Sequence, residues 1–344
     1  ASTMTGPEGE VEEEELTLHF VPLLGSVLAL EEGSLKRKLT EAEIIDVRDR
    51  SVCIRMAKEH VEKLERERGL ADIDAENVAA EWNRRRIEFT ESYWPTLVLY
   101  VPTSGPGTRA CREILENAKN DSEYEGLEFE AKEHDKGLAR HLIDQMSLLP
   151  PKADKSELSD LARHLQYFVV RSKPFNSDQA MEVASCYLRL IGKLLAAGAL
   201  TVSVESSNLT HSRGAWQDLL ERFQETPLVS LLFGFVQMPA VYKNEYFSVG
   251  MHSLGRPDFV INKETLRGLE YPEDKLDQAA GELFQVLAYY LLDECPISQF
   301  RSGNTFSLSA DSPQLRVNIE PASFFKESDI RSNPFGVWRL SANS

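Results

Sequence analysis

The segment 181–198 constrains the fold more than any other stretch of the chain. Met181, Ala184, Leu188, Ile191 and Leu195 recur at spacings of three and four, and the run stops at Gly198. That period stacks the five side chains on one stripe of a helix about five turns long, and such a stripe has to face a core. Immediately afterwards the period changes to two. Leu200, Val202 and Val204 alternate with Thr201, Ser203 and Glu205, which predicts a strand with one polar face. Ahead of the helix, Leu165–Val170 reads as a strand, and Asn176 with Gln179 is placed to cap the helix.

The same interleaving extends in both directions. Leu18, Phe20, Val21, Leu23 and Leu24 predict a strand entering a buried sheet. Thr40 and Glu43 have capping-box spacing ahead of a helix of about ten residues. Val52, Ile54 and Met56 predict a half-buried strand, and 57–68 a charged helix closed by Gly69. Asp74 is an N-cap candidate for a helix with Val78, Trp82 and Phe89 near one face. Arg84, Arg85 and Arg86 then suit the dipole of its solvated C-terminus.

Further on, Leu97–Val101 reads as a buried strand, followed by a helix striped with Cys111, Ile114, Leu115 and Ala118. Leu127 and Phe129 mark a strand, Leu138, Leu142 and Met146 a helix, and 147–160, with Pro150 and Pro151, a surface loop. Ser212 opens a helix carrying Trp216, Leu219, Leu220 and Phe223. Leu228–Val236 is apolar almost throughout and predicts a central strand covered on both faces. The last hundred residues give a strand at 246–251, a turn-rich loop at 254–258, and a helix with Leu276, Ala280, Leu283, Leu287 and Leu291. Two final strands lie around Phe306 and Leu308, and over 315–319.

Strands and helices in this order predict an α/β or α+β fold, a mixed β-sheet with flanking helices, plus a smaller N-terminal α/β module. The expected division is an acidic tail over 1–15, a small module over 16–95 and a larger one over 96–344. Glu8, Glu10 and Glu12 to Glu15 repel one another and offer little apolar area, so the tail is expected to be disordered. No repeat of 20–50 residues is visible.

Across 344 residues, 55 acidic side chains against 38 basic ones give a formal net charge of -17. That balance argues against a general nucleic-acid binder or a ligand of anionic membranes. No uninterrupted apolar run of about 18 residues occurs, so no membrane span is expected. Cys53, Cys111, Cys186 and Cys295 are far apart and form no CxxC pair, which suits thiols of a reducing compartment. The opening residues lack a basic segment followed by an apolar one, and Ala1-Ser2-Thr3 before Met4 reads as a remnant of tag cleavage. A cytoplasmic location is the expectation.

Few contiguous residues carry chemistry. Gly105-Pro106-Gly107-Thr108-Arg109-Ala110 follows a strand and opens a helix, a relaxed GxGxxA pattern. Glycines there admit a close phosphate, and a helix N-terminus supplies free N–H groups. Gly105, Gly107 and, after the next strand, Glu130 are therefore cofactor-binding candidates, set against a plain Gly/Pro loop before a helix. His134 and His141 lie seven apart, roughly 10.5 Å along a helix and too far to share a metal, so none is expected. Ser323 to Lys326 matches SxxK without the companion elements of penicillin-binding enzymes. Cys111 stands near a helix N-terminus, where the dipole favours a thiolate, but its apolar stripe predicts burial.

The most site-like polar residues fall in two groups. Glu205, Ser206, Ser207, Asn208 and His211 stand at the C-terminal end of a predicted strand, where ligands of open α/β sheets bind. Gly250, His252, Gly255, Arg256 and Asp258 form the second group. Glu205, Asn208, His211, His252, Arg256 and Asp258 are the ligand-binding candidates. His211 has the chemistry of a base, Asp258 of its orienter, and Arg256 of an anion holder. Loop caps and an Arg–Asp pair would use the same residue types.

Ala197-Gly198-Ala199-Leu200-Thr201-Val202, Ser206-Ser207-Asn208, Trp216, Gly250-Met251, Gly255-Arg256-Pro257-Asp258 and Gly303-Asn304-Thr305 carry a resemblance. From about residue 95 onward, the chain resembles a bacterial domain-of-unknown-function family. That resemblance implies no activity, cofactor or catalytic set. With no complete catalytic constellation in contiguous residues, the expectation is a non-enzymatic interaction protein with a protein partner and no cofactor. The alternative is an enzyme or sensor that binds a phosphorylated small molecule or nucleotide.

Overall fold

The computed structural model describes residues 16–35, 39–68, 70–90, 95–149, 152–294, 303–307, 313–320, 322, 324–326 and 329–342. The predicted acidic tail, the Gly69 cap, Cys295 and Ser323 lie outside these residues. The chain divides into two compact units, with the boundary between residues 93 and 94.

The first unit begins with β1 (Leu16–Phe20) and α1 (Leu24–Leu35), followed by α2 (Glu41–Arg50), β2 (Cys53–Ala57), α3 (Lys58–Arg68) and α4 (Val78–Thr90). β1 and β2 form an antiparallel ribbon, with Leu18 opposite Arg55 and His19 opposite Ile54. The core gathers Phe20, Leu24, Leu28, Ile44, Trp82 and Phe89. Two local devices fix it. The Thr40–Glu43 capping box closes on α2 as its spacing predicts. The Asp72 carboxylate accepts from the backbone N–H groups of Leu24 (2.8 Å) and Gly25 (3.0 Å), so a negative charge sits on the free N–H groups that open α1.

The second unit runs β3 (Val98–Thr103), α5 (Pro106–Lys119), β4 (Glu128–Glu133), α6 (Lys136–Leu148), α7 (Lys155–Ala162), β5 (Gln166–Arg171), α8 (Ala180–Ala196), β6 (Ser203–Val204) and β7 (Leu209–Thr210). It continues through α9 (Arg213–Arg222), α10 (Pro227–Phe235), β8 (Gln237–Tyr242), β9 (Glu245–Val249), β10 (Asp258–Asn262), α11 (Lys263–Gly268), α12 (Leu276–Tyr289), β11 (Thr305–Phe306), β12 (Leu315–Glu320) and β13 (Val337–Ala342). One sheet has the order β4-β5-β3-β6-β7, all antiparallel. β3 and β4 are parallel to each other but separated by β5, a split βαβ arrangement. The other sheet has the order β11-β12-β13-β10-β9-β8, in which only β10 and β13 pair in parallel. Both sheets carry helices, so the fold is a mixed α/β one. One hydrophobic cluster extends from Leu99 and Phe168 through Leu188 and Ile191 of α8 to Phe259, Phe284 and Trp338.

Alternation gives the five-stranded sheet two faces. Leu99, Val101, Phe168 and Val170 point into that core. Their neighbours Tyr100, Tyr167, Val169 and, by register, Ser203 occupy the outer face.

Several expectations are corrected. Leu228–Val236 is not a strand; α10 covers Pro227–Phe235, with Pro227 at its first position and Leu231, Leu232 and Phe235 buried. A continuous apolar run has no period, so it fits a helix buried all round as well as a buried strand. Within 147–160, Asp154 accepts from the N–H of Glu157 and starts α7, so the loop is shorter than its prolines suggest. Leu23 and Leu24 lie beyond β1, with Leu24 opening α1. The segment 200–204 forms only the two-residue β6, though Leu200 and Ala199 stay tied to β3 residues. β2 is not half-buried: Cys53, Ile54 and Arg55 are all exposed. Asp74 heads the turn before α4, accepting from the N–H of Glu76, and is not its N-cap. Arg85 is not solvated; it donates to the carbonyls of Ala71 (2.6 Å) and Asp72 (2.8 Å).

Candidate functional site

The two polar groups that the sequence keeps apart meet in the second unit. β6 runs into a 3-10 turn, Glu205–Ser207, which ends on Asn208 at φ 54° and ψ 43°. A second 3-10 turn, Met251–Leu254, is held between Gly250 and Gly255, both with positive φ. The hydroxyls of Ser206 and Ser253 are 3.2 Å apart. A Cβ on Gly250 would stand 2.5 Å from the Phe235 carbonyl oxygen and equally close to the Ser207 Cβ. Only glycine permits that approach.

Beneath this junction, each titratable candidate has its own partners. Asp258 is buried and accepts from the Ser248 hydroxyl (2.8 Å), the Met251 N–H (3.1 Å) and the Asn333 amide (2.8 Å). Burial pushes its carboxyl up to about 7, while these donors and the Gly250 N–H pull it down. His211 is buried too. Its Nε2 donates to the Phe233 carbonyl at 2.8 Å, its ring lies edge-on to Trp216, and desolvation lowers it to about 4. His211 and Asp258 are not hydrogen-bonded to each other, so the base and orienter of the sequence reading do not form a dyad. Arg256 turns its guanidinium to the carbonyls of Leu291 and Gly255. His252 is fully buried and depressed to about 4 by desolvation; only the backbone of Ile330 favours its charged form.

The rim of the junction is different in character. Asn208 Oδ1 lies 2.8 Å from His141 Nε2, which lies 2.8 Å from the Gln145 amide nitrogen. Gln145 Oε1 accepts from Thr210 (2.5 Å), whose hydroxyl is 2.9 Å from that of Ser203. A chain of polar side chains thus runs from exposed His141 to the buried outer face of the sheet. Glu205 is half-buried beside it. Burial raises its carboxyl, and His141 and Arg331 oppose the rise. Arg331 is itself clamped by Asp329, through Nε (2.9 Å) and Nη2 (2.6 Å).

The Gly105–Ala110 segment does form a loop before a helix, with Gly105 at φ 54° and Pro106 in the first turn of α5. Gly107, however, faces protein: a Cβ there would lie 2.5 Å from the Gly198 carbonyl oxygen. β3 is antiparallel to both of its neighbours, unlike the parallel strands of dinucleotide folds. Glu130 lies on β4, ion-paired to Lys132. An open cavity of about 540 Å³ is nevertheless present at the start of α5, lined by Gly105, Thr108, Glu133, His134, Leu165 and Gln166. Cys111 is buried, donates to the Leu194 carbonyl, and has its thiol pushed up to about 11 by burial. Among the described residues, no group of His, Cys, Asp and Glu is arranged to hold a metal, and no helix is long and apolar enough to cross a membrane.

Sequence reasoning missed His141, Tyr100 and Arg331 at the rim, because nothing local tells which sheet face a helix will cross. It also missed the surface of the first unit. Leu16, Leu18, Val21, Val52 and Ile54 are between 47% and 68% exposed; Leu16, Leu18 and Ile54 belong to the β1–β2 ribbon, and Val21 and Val52 flank it. Leu16 and Leu18 lie on one face, and Ile54, opposite His19, on the other. An apolar strand with exposed alternate positions was the available signal. Comparison of the chain with protein-family models, with curated proteins and with solved structures gives no match.

Proposed function

We propose that the chain is a non-enzymatic binding protein of a reducing, cytoplasmic compartment that captures a protein partner through the β1–β2 ribbon. The exposed apolar ribbon is the observation that carries this reading. Single exposed apolar side chains are ordinary; here five lie on or beside one small ribbon, divided between its two faces, and offer apolar surface to a partner. Among the described residues, the ribbon has two strands only, so the outer edges of both remain available for an added strand. Main-chain hydrogen bonds then supply affinity and the apolar side chains select the partner.

The test is co-purification from the native host with the wild type and with a Leu18→Lys, Ile54→Lys variant checked for folding by circular dichroism. A stoichiometric protein recovered with the wild type and lost with the folded variant supports the reading. Repeated recovery of the chain alone, or equal recovery with the variant, removes it.

The cavity at the start of α5 favours a second reading, a sensor or enzyme that takes a phosphorylated small molecule or nucleotide. Free N–H groups of α5 face that end. Glu133 in the wall works against an anion, which places this reading second. A thermal-shift screen with nucleotides and inorganic phosphate decides it. Ligand at 100-fold its dissociation constant would add about 2.7 kcal/mol of stability, and silence across the screen rejects the reading.

A further inference from the structure

β2 is the more open strand of the ribbon: Cys53, Ile54 and Arg55 are all exposed, and Val52, just ahead of it, is 68% exposed. The direction of its hydrogen bonds follows from its pairing. The Val21 N–H donates to the Val52 carbonyl at 3.0 Å, in the register that sets His19 against Ile54. Residues of an antiparallel pair face their neighbour alternately, so Ile54 and Met56 turn their backbone groups to β1, and Cys53 and Arg55 turn theirs outward. Among the described residues, no strand meets that outer side. The side chains alternate as well. Val52 and Ile54 share a face with Val21, which stands opposite Val52, and all three are exposed. Water can satisfy bare backbone groups, but three neighbouring apolar side chains gain by leaving it.

The exposed stretch is its own complement. Turned about a two-fold axis through Cys53, a second β2 sets Val52 against Ile54 and Ile54 against Val52. These are the close cross-strand pairs, in which β-branched side chains pack well. Cys53 meets its own copy and Arg55 falls opposite Ser51, so no like charges face each other. An axis at Arg55 would oppose two guanidinium groups. The edge of β1 matches itself less well, because His19 and Phe20 are buried.

We propose that two copies of the chain associate through the outer edges of their β2 strands, joining two ribbons into one four-stranded antiparallel sheet with its two-fold axis at Cys53. The inference goes beyond the ribbon reading, since the β1 edge and the exposed Leu16 and Leu18 stay available to a different protein.

The test uses the purified full chain. Sedimentation equilibrium over a dilution series should give twice 38.8 kDa at the concentrated end and 38.8 kDa at the dilute end, because a short strand pair is a small interface. Two cysteines paired in this way stand about 5.5 Å apart at Cα, within reach of a disulfide. Diamide, which takes two electrons and two protons from two thiols, should therefore yield a covalent dimer. Cys53→Ser should abolish that bond and keep the doubled mass. Ile54→Lys, checked for folding by circular dichroism, should show the mass of one chain at every concentration, whereas Leu16→Lys, on the other strand, should not. The mass of one chain throughout the wild-type series, no covalent dimer, a covalent dimer that persists in Cys53→Ser, or a doubled mass in folded Ile54→Lys would overturn the proposal. If Ile54→Lys does not fold, Val52→Lys takes its place. A monomer that still retains a host protein removes the dimer and keeps the ribbon reading; a dimer that retains no other protein does the reverse.

Discussion

At the scale of single residues, the buried titratable groups make opposed contributions to stability. His211 and His252 are held near 4 when folded, against an ordinary 6.5. Between those values the unfolded chain takes up protons that the folded chain excludes, so their contribution is lost as pH falls from about 6.5 to about 4. Asp258 acts in the other direction. Its folded carboxyl titrates near 7 instead of 3.8, so the folded chain keeps a proton that the unfolded chain has released, and stability from this group declines as pH rises through that window. Two imidazoles outweigh one carboxyl. Urea unfolding should therefore show a loss of about 1–2 kcal/mol between pH 7 and pH 5; an unchanged midpoint would contradict it. Asp258→Asn should steepen that contrast. It should also cost about 2–3 kcal/mol at pH 7, because an amide would be set against the Ser248, Met251 and Asn333 donors. Equal stability of variant and wild type would show that those donors do not hold the carboxylate.

Which residues form the site was only half legible. Glu205, Asn208, His252 and Asp258 stood out because polar residues and glycines cluster where strands end. That Ser206 would meet Ser253, or that His141 would face Asn208, depends on how α6 and the two 3-10 turns pack, and no local pattern encodes it.

At the scale of elements, periodicity decided what could be read. The α8 stripe, the α5 stripe and the Thr40–Glu43 box are local signals, and each element formed where its period required. β10 and β13 escaped because five or six residues beside Gly and Asn offer too few repeats of two. The glycines of the Gly105–Ala110 segment also act on elements. Gly107→Ala gains about 1 kcal/mol of helix propensity, but its Cβ would collide with the Gly198 carbonyl, an overpacking worth about 1–3 kcal/mol. Gly105→Ala meets open space but leaves alanine at φ 54° and ψ -133°, a region kept almost wholly for glycine, at a cost of about 1–3 kcal/mol. Thermal unfolding should rank wild type above both variants. Because α5 and the Gly198 turn lock together, the Gly107 variant should also lose amide protection at Ala199 and Leu200, whereas the Gly105 variant should not. Equal protection in the two would show that the close approach bears no load.

At the scale of the whole molecule, charge and topology matter most. A net charge of -17 should speed encounter with a basic partner and make that rate fall steeply as salt is raised from about 0.05 M to about 0.5 M. Stopped-flow mixing with a basic peptide measures it, and a salt-independent rate would count against steering.

The second sheet places β13, the last described strand, in its middle, with β12 on one side and β10 on the other. Deleting residues 337–344 would leave two open ladders where none existed, and the shortened chain should move to high-mass species in size-exclusion chromatography. A ribosome meets the same difficulty in time. Until residue 342 has cleared the exit tunnel, the earlier strands wait as two unjoined halves with bare hydrogen-bonding groups. Closure of this half of the protein therefore waits for β13, and until then the earlier strands are exposed to chaperones and to mispairing between neighbouring nascent chains.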